Sequence, residues 1–467
     1  MQNNKIIQIA LLAFLMLLSM WAISALLEVR EQTRNVLMGV GFFVILLSAL
    51  WRKIPLDAKL LLIIILGYAL GGKGFAYVSP MEPVYIGEIS LALCMFGLMT
   101  RLRHAGLFDT SIHKLIWVYL IYAGIHLMVD YDQYRLLAIR DSATAYYALF
   151  FFAAYSLFQN EAIVMVFERI MKIAIVFAIV QLAATFFSLR FPGFHPHADA
   201  YIPLTTATAI YFLIRAAESK KLVHILIGAT AAAALMTGKT AGVLALFGVL
   251  GVALVFGRVK GLMLPVLFLG GLGIVALAAA MIISPDFFAE HIASGDTVEA
   301  FGIAEGEFVG LSGTSSWRMD WWMMIWDDTM CSAPFWGFGF GGDISTAFLG
   351  AELGELVRYP HSVIFTVIGR LGLIGLVIFT TLFVAIGMFS IKFYRLYYNS
   401  PNRRDADLIC SAVVIAGMVN GVLQSTYEVP HAAITHWVCL GYMASRYYGT
   451  QTHRKTSTQK SDFKCQE

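Results

Sequence analysis

The stretch YPHSVIFTVIGRLGLIGLVIFTTLFVAIGMFS, residues 359–390, decides how the chain is read. It closes the one long polar segment, residues 284–360. It passes through Tyr359, Pro360, His361 and Ser362 directly into an apolar run from Val363 to Ser390. About 20 apolar residues suffice to cross the hydrocarbon of a bilayer as a helix. Outward from this run the same pattern recurs. About fourteen spans are predicted, over 6–28, 35–51, 58–72, 83–100, 113–129, 143–158, 170–189, 201–217, 222–238, 240–257, 261–283, 362–391, 406–424 and 432–448. No strand-like alternation or closed-barrel pattern is present, so helices are the spanning elements.

Composition points the same way. The 467 residues are 59% hydrophobic and 13% charged, with a mean hydropathy of +0.74. Soluble domains carry about 25% charged residues. The expected fold is all-α: a polytopic membrane helical bundle with one large extracytoplasmic loop folded over its outer face. The net charge of +3 says less than its distribution. With the N-terminus inside, Arg52-Lys53, Arg101, Arg103, Lys220-Lys221, Arg258, Lys260, Arg403-Arg404 and the basic tail share one side. The positive-inside rule makes that side cytoplasmic and segment 284–360 external. The chain then divides into a membrane domain over residues 1–283 with eleven spans, the loop 284–360, a membrane domain over residues 361–448 with three spans, and a basic cytoplasmic tail 449–467. The first apolar run ends at Ala22-Ile23-Ser24-Ala25, a poor cleavage site, and reads as an uncleaved span.

Several function classes fall away. No Walker A sequence and no cytoplasmic nucleotide-binding domain is present, so ATP-driven transport by this chain is not expected. Two related halves, the usual signature of a transporter or lipid-linked oligosaccharide flippase, are not discernible. Of the five cysteines, Cys94, Cys410 and Cys439 fall within spans, Cys465 lies in the tail, and Cys331 stands outside with no second external cysteine. That pattern gives neither a disulfide framework nor a metal-ligand spacing. No cofactor, metal or nucleic acid is expected.

The outer segment holds twelve carboxylates against two bases, Arg318 and Arg358. Such a surface repels anionic polymers, so a few cations must attract an anion locally. Five positions can carry chemistry. His361 can take a proton from a sugar hydroxyl, or it can anchor the next helix at the interface. Arg318 can grip a diphosphate through two parallel hydrogen bonds, or pair with a loop acid such as Asp320. It lies on a helix expected from about 316 to 329, capped by Thr314 or Ser315, and shares a face with Trp322. Lys239 sits in the tight turn Thr237-Gly238-Lys239-Thr240, where small residues allow close approach to a phosphate; the alternative is a lysine snorkelling to water. Arg140 and Arg190 point outward near span ends and either widen a cationic pocket or pair with a neighbouring acid.

Other features read less clearly. Arg370 lies roughly 13 Å along a helix from His361, inside the hydrocarbon zone, where a charge is a functional candidate by default. Nine residues put it on the opposite face, so no direct role is assigned. His195, His197 and Asp199 offer too few ligands for a metal and read as a polar loop. Trp336 and Phe338, with Phe340, stack on sugar rings or form an interfacial aromatic belt. The glycines between them lack the preceding strand of a dinucleotide fingerprint.

These motifs resemble those of the O-antigen ligase and O-antigen/exopolysaccharide polymerase superfamily of bacterial envelope glycosyltransferases. His361-Ser362, nine residues and Gly372-Leu373-Ile374-Gly375 fit the family pattern, with the histidine after a large periplasmic loop. Arg318 before Trp321 and the Pro334-x-x-Gly337-x-Gly339 turn match the family's loop arginine. Thr237-Gly238-Lys239-Thr240 stands where a Thr-Gly-Ser-Arg-Gly-like turn is typical. The likeness covers about 205–385, with lysine in place of arginine at 239 and Arg370 where an acid is common.

The resemblance implies metal-independent glycosyl transfer at the periplasmic face of the bacterial inner membrane. The donor would be a glycan on undecaprenyl diphosphate and the acceptor a second glycan. His361 would be the general base. Arg318 and Lys239, with Arg140 and Arg190, would hold the diphosphate, and Trp336 and Phe338 would stack on sugar. A polymerase is expected, with a flippase and a chain-length regulator as protein partners. A ligase onto lipid A-core or protein is the sibling reading, and a flippase the reading from another class.

Overall fold

The computed structural model describes residues 54–78, 84–101, 107–188, 202–236, 240–257, 316–349, 358–398 and 400–464. The expected spans 6–28, 35–51 and 261–283 lie outside them, as do Arg190, His195, His197 and Lys239. The described residues are all-helical. In chain order the helices are α1 (Leu56–Ala76), α2 (Ile86–Met99), α3 (Ser111–Tyr134), α4 (Leu136–Asp141), α5 (Ala143–Tyr146), α6 (Leu149–Leu157) and α7 (Glu161–Ser188). They continue with α8 (Ile202–Ser219), α9 (Leu222–Met236), α10 (Thr240–Gly257), α11 (Ser316–Ser332), α12 (Thr346–Leu349), α13 (Val363–Tyr398), α14 (Asp405–Leu423) and α15 (Pro430–Lys464).

Three of these, Ser111–Tyr134, Val363–Tyr398 and Asp405–Leu423, are long and apolar enough to cross a membrane, among the described residues. The expected span 143–158 is instead two short helices. Between α5 and α6 the chain tightens into i→i+3 hydrogen bonds, with Tyr147 and Ala148 still in the helical region, and there Tyr146 and Tyr147 both donate to Glu88 Oε1, at 3.0 and 2.6 Å. After this turn, Phe150, Phe151 and Phe152 are fully buried.

The bundle is built around α14. Residues Ala406 to Ala416 are buried all round, because α8, α10, α13 and α15 pack on it from different sides. A helix apolar on every face belongs in the interior. The entry of α14 is fixed by Asp407, whose carboxylate accepts from Arg404 N at 2.8 Å. Pro430 opens α15 at the first helical position, where its missing N–H is not needed. α3 lies along α13, and α6 along α15. A second, smaller core of Trp321, Ile325, Ile344 and Ile368 lies between α11 and the first turns of α13. It is what seats the polar segment on the bundle.

Candidate active site

α11 runs through Ser316–Ser332, close to the expected 316–329. It is docked by two tryptophans. Trp321 is buried, donates its indole N–H to Ile344 O at 2.8 Å and stacks on Phe348. Trp322 donates to Pro360 O at 2.6 Å and stacks on Phe365 with rings 9° from parallel. Pro360 immediately precedes His361, so Trp322 fixes the backbone on which His361 sits. One turn back on α11, half-buried Arg318 donates to Leu423 O, the last residue of α14, at 3.4 Å. The start of α13, the end of α14 and the start of α11 thus meet at one corner. His361 and Arg318 belong to it.

His361 is half-buried and has φ 52°, in the left-handed region. A side chain other than glycine held there costs about 1–3 kcal/mol and persists only where its surroundings over-determine it. Here they do. Trp322 clamps the residue before, and Ser362 O accepts from Thr366 N at 2.9 Å in the first turn after.

Gly337, Gly339 and Gly341 all have positive φ, between 75° and 88°. They let the turn from Pro334 to Gly342 enter a break in α13, where Gly372 has φ 64°. Four backbone bonds join the two segments. Phe338 N donates to Gly369 O at 2.8 Å, Gly339 N to Arg370 O at 3.0 Å, and Leu373 N to Pro334 O at 2.8 Å. Ile374 N reaches Phe335 O at 3.5 Å. The break frees these groups from the helical ladder, and the turn satisfies them. A Cβ on Gly337 would stand 2.6 Å from Gly372 N, and one on Gly372 would collide with Phe335 O. The glycines of both motifs answer to each other.

Beneath this turn lies a buried ionic network. Asp141 Oδ2 stands 2.8 Å from Arg358 Nη2 and 2.6 Å from Arg370 Nη1. The same oxygen accepts from Gly341 N at 3.1 Å. Asp130 Oδ2 accepts from Phe340 N at 2.7 Å. The arginines in turn donate to backbone: Arg358 to Gly341 O at 3.1 Å, Arg370 to Gly342 O and Arg358 O at 3.3 Å. Burial works against the charge on Arg358, and the Asp141 carboxylate outweighs it, holding the guanidinium more firmly protonated than usual. Segment 358–361 is therefore gripped from below by Asp141 and Arg370 and from the side by Trp322.

The sequence assigned Arg370 no direct role because helical spacing set it on the face opposite His361. The break at Gly372 and the pairing with Asp141 show what it does: it ties three segments of chain together. Asp130, Asp141 and Arg358 were not singled out. The available signal was an acid at each end of the Asp130–Asp141 stretch facing an intramembrane arginine elsewhere, since such charges come in pairs. The other expected site residues are placed differently. Arg140 is exposed on α4, and its neighbouring acid Asp141 turns inward to Arg358 and Arg370. Trp336 is 39% exposed and stacks on His126 at 3.8 Å. Phe338 is half-buried against the small core under α11.

Residues 225–380 match the family described as O-antigen ligase. The match supports the likeness to the O-antigen ligase and polymerase superfamily. No curated protein matches the chain. The matched region contains α11, the glycine turn, Arg358, His361, Arg370 and Gly372. Asp130, Asp141 and Glu428 come from outside it and complete the same corner. The match supports ligase- or polymerase-type transfer of a lipid-linked glycan at a membrane.

Proposed function

We propose that the protein is an extracytoplasmic glycosyltransferase that joins undecaprenyl-diphosphate-linked oligosaccharide repeat units into surface polysaccharide. The observation that carries this reading is the corner itself: Trp322 holds the residue before His361 while Arg318, one turn away on α11, reaches the end of α14. In the proposed reaction His361 takes the proton of the acceptor hydroxyl. The acceptor oxygen bonds to the anomeric carbon as the bond to the lipid diphosphate breaks. Arg318 stabilises the departing diphosphate, joined by Lys239, which precedes α10 in sequence. Diphosphate is a good leaving group once neutralised, so a base and fixed cations meet the chemical need without a metal. Arg140, Arg190, Trp336 and Phe338 are proposed to widen the anion and sugar contacts. The site faces the periplasm of the inner membrane, with both termini cytoplasmic, and a flippase and chain-length regulator are its proposed partners.

A ligase reading is kept because the matched family carries that description. The experiment is a deletion strain complemented with wild-type or His361→Ala protein and scored for lipid-linked glycans. Single repeats accumulating without the protein support the polymerase. Long lipid-linked chains accumulating support the ligase. Wild-type product from His361→Ala at normal protein level contradicts the base assignment.

A further inference from the structure

In the proposed reaction Trp336 stacks on a sugar ring, which requires an indole held at a fixed tilt. Its backbone is pinned on both sides. Phe335 O takes the bond from Ile374 N, and Gly337 N donates to Ala333 O at 2.8 Å. The side chain reaches α3, where it meets His126. The two rings lie 3.8 Å apart and 23° from parallel. Tyr122, one turn earlier on α3, stands edge-on to the indole, with ring centres 5.9 Å apart at 72°. Tyr122 in turn donates its hydroxyl to Leu371 O at 3.0 Å, beside the break in α13.

His126 is fully buried, and neither ring nitrogen closes a hydrogen bond. Asp130 Oδ2 stands 3.9 Å from its Nδ1, beyond hydrogen-bond reach, and accepts from Phe340 N instead. The imidazole therefore acts through its faces and edges. Besides Trp336 it meets Tyr122 at 4.8 Å and Phe340 at 6.3 Å, both at steep angles. Four rings from α3 and the glycine turn thus form one cluster. His126 and Phe340 are buried in it and Tyr122 is half-buried; Trp336 is its exposed member.

We propose that His126 is a positioning residue for the substrate: it is the shelf that holds the Trp336 indole for a sugar ring of the lipid-linked glycan. The inference rests on the reading of Trp336 as a sugar contact. One indole face lies on the imidazole, which leaves the opposite face for the sugar. That face is electron-rich and attracts the C–H groups of a sugar ring. Held from beneath by His126 and at the edge by Tyr122, the indole gives up little conformational freedom when glycan binds.

The test measures KM and kcat for the purified full-length protein in lipid nanodiscs. The substrate is the lipid-linked glycan that accumulates in the deletion strain. His126→Leu fills the space without a flat face and is expected to raise KM by roughly threefold to tenfold, from the loss of one aromatic stack, with a smaller change in kcat. His126→Phe, which restores a flat ring, is expected to recover most of that loss. Trp336→Ala is expected to raise KM at least as much, and His126→Leu to add little on top of it, because the two residues act as one unit. A wild-type KM in His126→Leu, or His126→Phe no better than His126→Leu, overturns the inference. It does so even where the variants melt earlier, since a merely structural ring would lower stability and leave KM alone. Should His126→Leu fail to fold, His126→Met, an adaptable side chain without a flat face, takes its place under the same criterion. A raised KM in Trp336→Ala beside a wild-type KM in His126→Leu contradicts only the role of His126. A wild-type KM in Trp336→Ala contradicts the sugar contact, and this inference with it.

Discussion

Where α13 stops and α14 starts, the ion pairs sit at a rim. Lys172, 44% exposed, lies 2.6 Å from Asp405. Arg403 meets Glu218 at 2.7 Å, and Arg404 meets Glu161, itself 62% exposed. At the opposite end of the same two helices, Asp141 is 0%, Arg370 1% and Arg358 9% exposed. At the rim the pairs join side chains, and only Arg403 among these cations also donates to a carbonyl, Tyr398 O at 3.0 Å. The buried arginines also donate to the carbonyls of Gly341, Gly342 and Arg358, so they dictate where the backbone runs. Exposed pairs of the first kind contribute about 0–1 kcal/mol. A buried pair that loses a partner costs about 3–5 kcal/mol, because an uncompensated charge remains. One end of the bundle can tolerate change. The other is built to hold a segment in one place, and that segment carries His361.

The largest expected effect breaks the buried end. Asp141→Asn leaves Arg358 and Arg370 facing each other and should destabilise the protein by about 3–5 kcal/mol in denaturant unfolding. A loss below about 1 kcal/mol would put the network in the same class as the rim. Next comes Gly372→Ala, which forces a Cβ into Phe335 O at a positive φ. It should cost about 1–3 kcal/mol and reduce polymer in the complemented strain, as the glycine turn loses its seat. Wild-type melting and product would show that the turn does not need the break. A smaller effect concerns pH. The folded protein keeps Glu428 protonated up to about 7, whereas the unfolded chain releases that proton near 4.5. A folded pKa raised above the unfolded value means the native state binds more protons in that window, so stability falls as pH rises from about 4.5 to about 7. The fall in melting temperature between those values should be smaller in Glu428→Gln. An equal fall in both proteins contradicts this source. The smallest effect is at the rim. Glu161→Gln should change stability by less than about 1 kcal/mol, and the change should shrink in high salt.

The sequence made the helical class legible because apolar runs of spanning length need only counting. It placed α11 and paired Arg318 with Trp322 by helical spacing, and its reading of residues 205–385 overlaps the matched region. Other features were illegible for physical reasons. The break at Gly372 needs a partner turn 30 residues or more away to receive its carbonyls, and no local window contains both. The role of Arg370 depends on Asp141, more than 200 residues earlier. Span 143–158 reads as continuous because a tightened turn at 147–148 changes neither its hydropathy nor its length. Glu428 drew no reading from the sequence, because its burial depends on residues distant in the chain, among them Thr366, Arg370 and Tyr119.

The most direct measurement is transfer by purified protein in nanodiscs supplied with an undecaprenyl-diphosphate-linked repeat unit, following elongated glycan and released undecaprenyl diphosphate together. Wild-type protein should yield both in step. His361→Ala should lose about 10²–10⁴-fold in rate, as expected of a missing general base, with its fold intact by thermal unfolding. A folded His361→Ala protein that turns over at the wild-type rate would contradict the account.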